Sequence, residues 1–135
     1  MAPWQDPGLD FELRTHAQAG QLQHVRHELG SWLHSHCASP DVGAEVALAV
    51  HEAAANVVEH AYADGTGEFV VRARADDGLV TVVVEDEGEW RAPGWTDQRG
   101  RGLALMHGLM DDVQIDAVED GSGTRVTLRR HVDPA

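Results

Sequence analysis

Three polar residues in the middle of the chain have the types and spacing that could hold a metal ion and activate a hydroxyl group. Glu52, Asn56 and Glu59 stand at positions i, i+4 and i+7 of the stretch His51–Tyr62, so on a helix they share one face. An amide can coordinate Mg²⁺, and a carboxylate one turn away can serve as a general base. An ordinary solvated helix face is the alternative, although such a face usually includes Lys or Arg and this stretch has neither.

A second segment could recognise a planar ring that carries an amine. Asp86 and Gly88 follow an apolar run. A carboxylate there can accept a hydrogen bond from an exocyclic amine, and a glycine two residues later lets a ring approach the backbone. The alternative is a simple turn at a strand end, which Asp and Gly favour in any protein.

A third segment could bind phosphate. Gly100 and Gly102 stand directly before a predicted helix, where free backbone N–H groups and the helix dipole favour an anion. Arg99 and Arg101 could add charge-assisted hydrogen bonds. A flexible loop that enters a helix is the alternative, and neither a Walker loop nor a dinucleotide fingerprint is present.

Metal sites built from histidine are disfavoured. A zinc-protease helix needs a second histidine four residues after His51, where Ala55 stands. His34, His36 and Cys37 lie close together but have no fourth ligand at a fixed spacing.

Hydrophobic periodicity predicts the elements that must position these residues. Strands are expected over 11–17, 68–75, 79–86, 113–118 and 124–131, and helices over 18–36, 42–62 and 102–110. Asp76-Asp77-Gly78 predicts a hairpin turn, and 89–101 predicts a long functional loop. Because the strands pair by hairpins and two of the helices come early, we expect an α+β two-layer sandwich rather than a doubly wound sheet. A single domain over 10–132 should follow a loose segment at 1–9.

Composition restricts the classes of function. The chain has 135 residues and a formal net charge of −13, which disfavours general binding to nucleic acids or anionic membranes. All ten basic residues are Arg, so a Lys-dependent phosphate loop is excluded. Cys37 is the only cysteine, and residues 1–8 lack the features of a signal peptide. These features predict a cytoplasmic protein.

The segments together, in this order, resemble the ATP-binding domain of the GHKL superfamily, and most of all its anti-sigma-factor serine kinases. His51–Tyr62 is similar to the N box of that family, with its Glu-x-x-x-Asn core. Glu85-Asp-Glu-Gly88, Arg99–Met106 and Gly121-Ser-Gly-Thr124 resemble its three glycine boxes, and Met110-Asp-Asp-Val113 is a further match. The likeness extends over about residues 10–131.

The resemblance implies the Bergerat fold, a mixed and mostly antiparallel sheet with helices on one face, with ATP and Mg²⁺ as cofactors. It implies that Asn56 holds Mg²⁺, that Glu52 is the general base, and that Asp86 binds the adenine amine. It places the 89–101 loop as the lid over ATP. The implied cofactor-binding residues are Asn56, Asp86, Gly88, Arg99, Gly100, Arg101, Gly102, Leu103 and Thr124.

The resemblance also implies partners and leaves alternatives open. An anti-sigma kinase phosphorylates a serine on a small antagonist protein and switches between that protein and a sigma factor. The first strand and helix, with Trp32, form a candidate homodimer face. The sequence departs from the family pattern at Trp90 and in a short lid. The alternatives are a nucleotide-sensing module that sequesters a partner without phosphotransfer, and an acidic interaction protein that has lost nucleotide binding.

Overall fold

The computed structural model describes residues 10–62, 67–88, 100–118 and 123–135, with residues 100 and 101 described by their backbone alone. The fold is an α+β two-layer sandwich, as predicted. Its strands are β1 (Phe11–His16), β2 (Glu68–Asp76), β3 (Leu79–Asp86), β4 (Asp112–Ala117) and β5 (Thr124–His131). Its helices are α1 (Leu22–His36), α2 (Pro40–Asn56) and α3 (Gly100–Leu109), with a 3₁₀ turn at Ala19–Gln21 and a π turn at Val57–Ala61.

The five strands form one sheet in the order β1-β2-β3-β5-β4, and every pair in it is antiparallel. The predicted Asp-Gly hairpin joins β2 to β3. Asp77 and Gly78 both have positive φ, 56° and 78°, as a tight hairpin that follows the twist of its strands requires.

The helices cover one face of the sheet, and the core lies between the two layers. Alternate strand residues such as Phe69, Val71 and Val82 point into this core and are at most 1% exposed. From the helices they meet Leu29 and Val50, which are equally buried. Burial of side chains of this size contributes roughly 1.5–3 kcal/mol each, so this packing fixes the orientation of α2 over the sheet.

The opposite face of the sheet carries ion pairs between neighbouring strands. Arg72 Nε lies 2.9 Å from a carboxylate oxygen of Glu12, and Arg125 Nε lies 2.8 Å from one of Glu85. Glu85 also lies 3.7 Å from Arg72, so it joins the two arginines across three strands. Within the described residues, no helix is long and apolar enough to cross a membrane.

The helices differ from prediction at their ends. The predicted 42–62 helix begins earlier, at Pro40, because the Ser39 hydroxyl accepts the Val42 N–H and caps it. Its last residues form the π turn instead of regular α-helix. The glycine pair at 100 and 102 was expected before a helix, but α3 already begins at Gly100. Both glycines therefore belong to the first turn of that helix.

Candidate nucleotide-binding site

The end of α2 brings Glu52 and Asn56 together. Asn56 is only 7% exposed, and its Nδ2 donates a hydrogen bond of 3.1 Å to the carbonyl oxygen of Glu52, one turn earlier. This bond fixes the orientation of the amide and leaves Oδ1 as the atom that can coordinate a cation. A buried amide oxygen beside a carboxylate is a donor set that Mg²⁺ accepts.

The first turn of α3 lies against these two residues. A Cβ placed on Gly102 would stand 3.5 Å from Asn56 Nδ2 and 3.8 Å from Glu52 Oε2. The missing side chain therefore leaves space directly in front of the carboxylate and the amide. The N-terminus of α3 adds backbone N–H groups and a positive dipole beside that space, and both favour an anion. Leu103 follows on the same turn and packs against the core.

Asp86 is an acid buried at the end of β3, on the side of the sheet that faces the helices. It is 2% exposed, and its Oδ1 accepts a hydrogen bond of 2.9 Å from the Gly88 N–H. Thr124, opposite Asp86 on β5, is 8% exposed. A buried carboxylate is well suited to a directional hydrogen bond with an amine.

Two glycines around Asp86 allow close backbone contacts. A Cβ on Gly88 would come within 1.9 Å of the Ala61 carbonyl oxygen. One on Gly123, where φ is +153°, would come within 2.1 Å of the Asp86 carbonyl oxygen. The sequence predicted room for a ring beside Gly88. In the structure the Ala61 carbonyl fills the place of a Gly88 side chain, so Gly88 brings the π turn against the end of β3, and the room for a ring stays a prediction.

Sequence reasoning missed Tyr62, which joins the same two segments. Its hydroxyl accepts a hydrogen bond of 2.9 Å from the Glu87 N–H and donates one of 2.5 Å to the Glu68 carbonyl. Burial is the main cause that raises the pKa of Tyr62 above its ordinary value of 10.0. The signal in the sequence was the His-Ala-Tyr that ends the N-box stretch, but a tyrosine there carries no periodic pattern that would predict its partners.

Other acidic residues near Glu52, and the predicted lid, take different places. Glu45 shares the α2 face with Glu52, but it pairs with Arg130 at 3.2 Å. Glu59 lies in the π turn, 3.5 Å from a ring nitrogen of His60. Arg99 and residues 89–99 of the predicted lid lie outside the described residues, as does the side chain of Arg101.

The His34, His36 and Cys37 group forms no evident metal site. Nδ1 of His36 lies 2.8 Å from the Trp32 carbonyl oxygen, and the His36 ring stacks on the ring of Trp32. Cys37 is buried, and this burial raises the pKa of its thiol. Across the described part of the chain, no three His, Cys, Asp or Glu residues are grouped to hold a metal ion.

Comparison with known proteins identifies the family of the chain. Residues 15–130 match the family model of the histidine kinase-like ATPase domain, and the chain belongs to that family. It is 34% identical over 97 residues to an anti-sigma F factor of Heyndrickxia coagulans, a match that covers 62% of this chain and 65% of that protein. It is 35% identical over 108 residues to the serine-protein kinase RsbW of Bacillus licheniformis, a match that covers 66% of this chain and 68% of that protein. The chain thus spans about two thirds of the length of these relatives.

A solved structure is similar over most of this chain. It is the crystal structure of the RsbU and RsbW domains of Rv1364c from Mycobacterium tuberculosis, with a TM-score of 0.66 and 28% sequence identity. The match covers 90% of this chain and 32% of that one.

Proposed function

We propose that the chain is an ATP-dependent serine/threonine protein kinase of the anti-sigma type. It would phosphorylate a serine on a small antagonist protein and regulate transcription by exchanging that protein for a sigma factor. The observation that carries the proposal is the meeting of Glu52, Asn56 and Gly102, which would supply a base, a cation ligand and a place for phosphate at the start of α3. Relatives named anti-sigma F factor and serine-protein kinase RsbW support the same activity.

Each part of ATP would have its own contact. Asp86 would accept the adenine amine, with Gly88 and Thr124 beside the ring. The backbone at Gly100 and Gly102 would bind the phosphates, and Asn56 would hold Mg²⁺, which neutralises phosphate charge when bound. Arg99 and Arg101 would add charge-assisted hydrogen bonds to the phosphates, and Leu103 completes the proposed set from the resemblance.

The reaction needs little covalent chemistry from the protein. The Glu52 carboxylate would take the proton from the hydroxyl of the substrate serine as the serine Oγ attacks the γ-phosphorus. The bond between that phosphorus and the oxygen bridging to the β-phosphate breaks, and ADP leaves with the electron pair. The residues of α2 and α3 would act mostly by positioning and by charge complementarity.

The first test is calorimetry of ATP binding with and without Mg²⁺. Asn56 is the only asparagine in the chain. We expect Asn56→Ala to weaken Mg²⁺-dependent ATP binding by tenfold or more, which is about 1.4 kcal/mol, because its amide oxygen holds the cation. Gln114→Ala, which removes an exposed amide on β4, is the matched control and should bind ATP like the native chain. If the native chain binds no ATP, the proposed function is wrong.

A second candidate is a nucleotide-sensing module that sequesters a partner without phosphotransfer. It is favoured by the short lid, with eleven residues between Gly88 and Gly100. The kinase and the binding module are distinguished by incubating the chain with Mg·ATP and candidate antagonist proteins. Phosphoserine that appears with the native chain and is lost in Glu52→Gln, while ATP binding persists, supports the kinase. ATP binding with no phosphoserine supports the module.

The partners and setting are part of the proposal. The excess of acidic residues favours partners with basic patches. The proposed homodimer face on β1 and α1 includes Trp32, whose ring centroid lies 6.1 Å from that of Phe11. A cytoplasmic location and a single domain over 10–132 stay predictions.

A further inference from the structure

The only tyrosine of the chain links the proposed catalytic helix to the proposed base pocket. Tyr62 directly follows the π turn that continues α2. Its hydroxyl bonds to Glu87, which stands between Asp86 and Gly88, and to Glu68 at the start of β2. One hydroxyl group therefore connects the end of the Glu52–Asn56 helix to two adjacent strands.

The ring of Tyr62 lies in a slot that glycine leaves open. A Cβ on Gly67 would come within 2.1 Å of Tyr62 Cε1. The preceding residue, Ala61, has its carbonyl where a side chain on Gly88 would be. Both contacts are closer than any larger residue permits, so the position of Tyr62 relative to β2 and β3 is fixed by packing as well as by hydrogen bonds.

The same contacts control the backbone that carries Asp86. The Glu87 N–H bonds to Tyr62, and the next N–H, that of Gly88, bonds to the Asp86 carboxylate. Consecutive peptide groups are therefore fixed, one by the tyrosine and one by the acid. A shift of Glu87 would rotate the following N–H and with it the carboxylate.

We propose that Tyr62 is a positioning residue for base recognition: through Glu87 it holds Asp86 in the orientation that accepts the adenine amine. The inference rests on the proposed function, since it presumes an adenine nucleotide at Asp86. An oriented carboxylate favours adenine, which offers an amine at position 6, over guanine, which offers a carbonyl oxygen there. Tyr62 is therefore a determinant of the preference for ATP over GTP.

Tyr62→Phe keeps the ring and removes the hydroxyl. We expect its ATP affinity to fall about five- to tenfold while its weak GTP affinity stays within twofold of the native value, so that the ATP/GTP ratio falls. The control is Ser39→Ala, which also removes a hydroxyl that accepts a backbone N–H. Ser39 stands at the N-terminal end of α2, whereas Tyr62 lies beyond its C-terminal end. The 17 residues of this helix separate the two ends by roughly 25 Å. Ser39→Ala should lower the free energy of unfolding without changing the ratio of ATP affinity to GTP affinity.

A double-mutant cycle shows whether Tyr62 acts through Asp86. In Asp86→Asn, which lacks the carboxylate, adding Tyr62→Phe should lower ATP affinity by less than twofold. The reason is that the effects of substitutions at interacting residues are not additive. Full additivity, or equal losses for ATP and GTP in Tyr62→Phe, would overturn the inference and leave Tyr62 a structural residue.

The native chain supplies an independent measurement, since its one tyrosine can be followed by ¹³C labelling of the ring. Adenosine should shift the Cζ resonance, and guanosine at the same concentration should not. Equal shifts would contradict the inference. If the native chain binds no adenine nucleotide, the proposed function itself fails; if it binds ATP and Tyr62→Phe keeps the native ratio, only the inference fails.

Discussion

At the residue scale, the space in front of Glu52 and Asn56 depends on the absence of one methyl group. Gly102 is in the first turn of α3, and a Cβ there would make ordinary van der Waals contact with both polar side chains. Alanine is therefore compatible with the fold at this position. It would occupy the volume where we place the phosphates and their cation.

We expect Gly102→Ala to raise stability and to weaken ATP binding. Alanine in place of glycine in a helix stabilises by about 0.5–1 kcal/mol, whereas the added methyl group should reduce ATP affinity at least fivefold, about 1 kcal/mol. Urea unfolding and calorimetry measure the two effects separately.

Gly108→Ala is the matched control on the same helix. A Cβ on Gly108 would have no atom within 4 Å, so this variant should gain stability with unchanged ATP affinity. If Gly102→Ala also binds ATP like the native chain, the space between the two helices is not a phosphate site.

The sequence predicted residues of this site whose chemistry depends on local spacing. Glu52 and Asn56 are one helical turn apart, so their proximity follows from the period of α2. Tyr62 was not predicted, because its hydrogen-bond partner Glu87 is 25 residues away. Such a contact depends on how the strands pair, which no local pattern encodes.

At the element scale, α3 is held at its C-terminal end by an arginine from β5. Arg130 Nη1 donates a hydrogen bond of 2.6 Å to the Leu109 carbonyl, the last residue of the helix. Its Nη2 lies 3.2 Å from the Glu45 carboxylate on α2. One guanidinium therefore joins both helices of the proposed site to the sheet.

We expect the bond to the helix end to matter more than the ion pair. Arg130→Met keeps most of the aliphatic stem and should cost about 1.5–3 kcal/mol of unfolding free energy, because a charged hydrogen bond is lost and a helix carbonyl loses its donor. Glu45→Gln removes only a half-exposed pair partner and should cost less than about 1 kcal/mol.

Denaturant unfolding of both variants measures this difference. Equal losses would mean that Arg130 acts mainly through Glu45. The sequence could not predict either contact, since Glu45 and Arg130 are 85 residues apart. It did predict the Asp77-Gly78 hairpin, because that turn is decided by its own two residues.

At the scale of the whole molecule, net charge opposes the ligand that we propose. The chain carries −13, and several of its arginines are paired with carboxylates on the sheet, among them Arg72, Arg125 and Arg129. Mg·ATP is also negative. Long-range attraction therefore cannot draw the nucleotide in, and binding depends on contacts made at short range.

We expect salt to accelerate ATP association, opposite to the usual effect for charged ligands. Raising NaCl from 20 to 150 mM shortens the Debye length to about 8 Å and screens the repulsion, so the association rate constant should rise about twofold. Stopped-flow measurement with a fluorescent ATP analogue tests this. Uncharged adenosine should show no change, and a rate for ATP that falls with salt would contradict the prediction.

The architecture as a whole could be predicted because β1 and β5 alternate, β3 is an apolar run, and glycine-containing turns separate β2 from β3 and β4 from β5. The position of β5 within the sheet could not be predicted in this way. It is the last strand along the chain, yet it lies between β3 and β4, and a pattern within a strand does not state which neighbours it will have.

That position has a consequence for how the protein is made. Until residues 124–131 have left the ribosome, the edge of β3 that pairs with β5 has no partner, and Thr124 is absent from its place opposite Asp86. A nascent chain that already contains Glu52, Asn56 and Gly102 therefore has an unfinished sheet and should not retain nucleotide. Synthesis itself would delay the activity until residues 124–131 have emerged, and would leave a β-strand edge that needs protection from aggregation in the meantime.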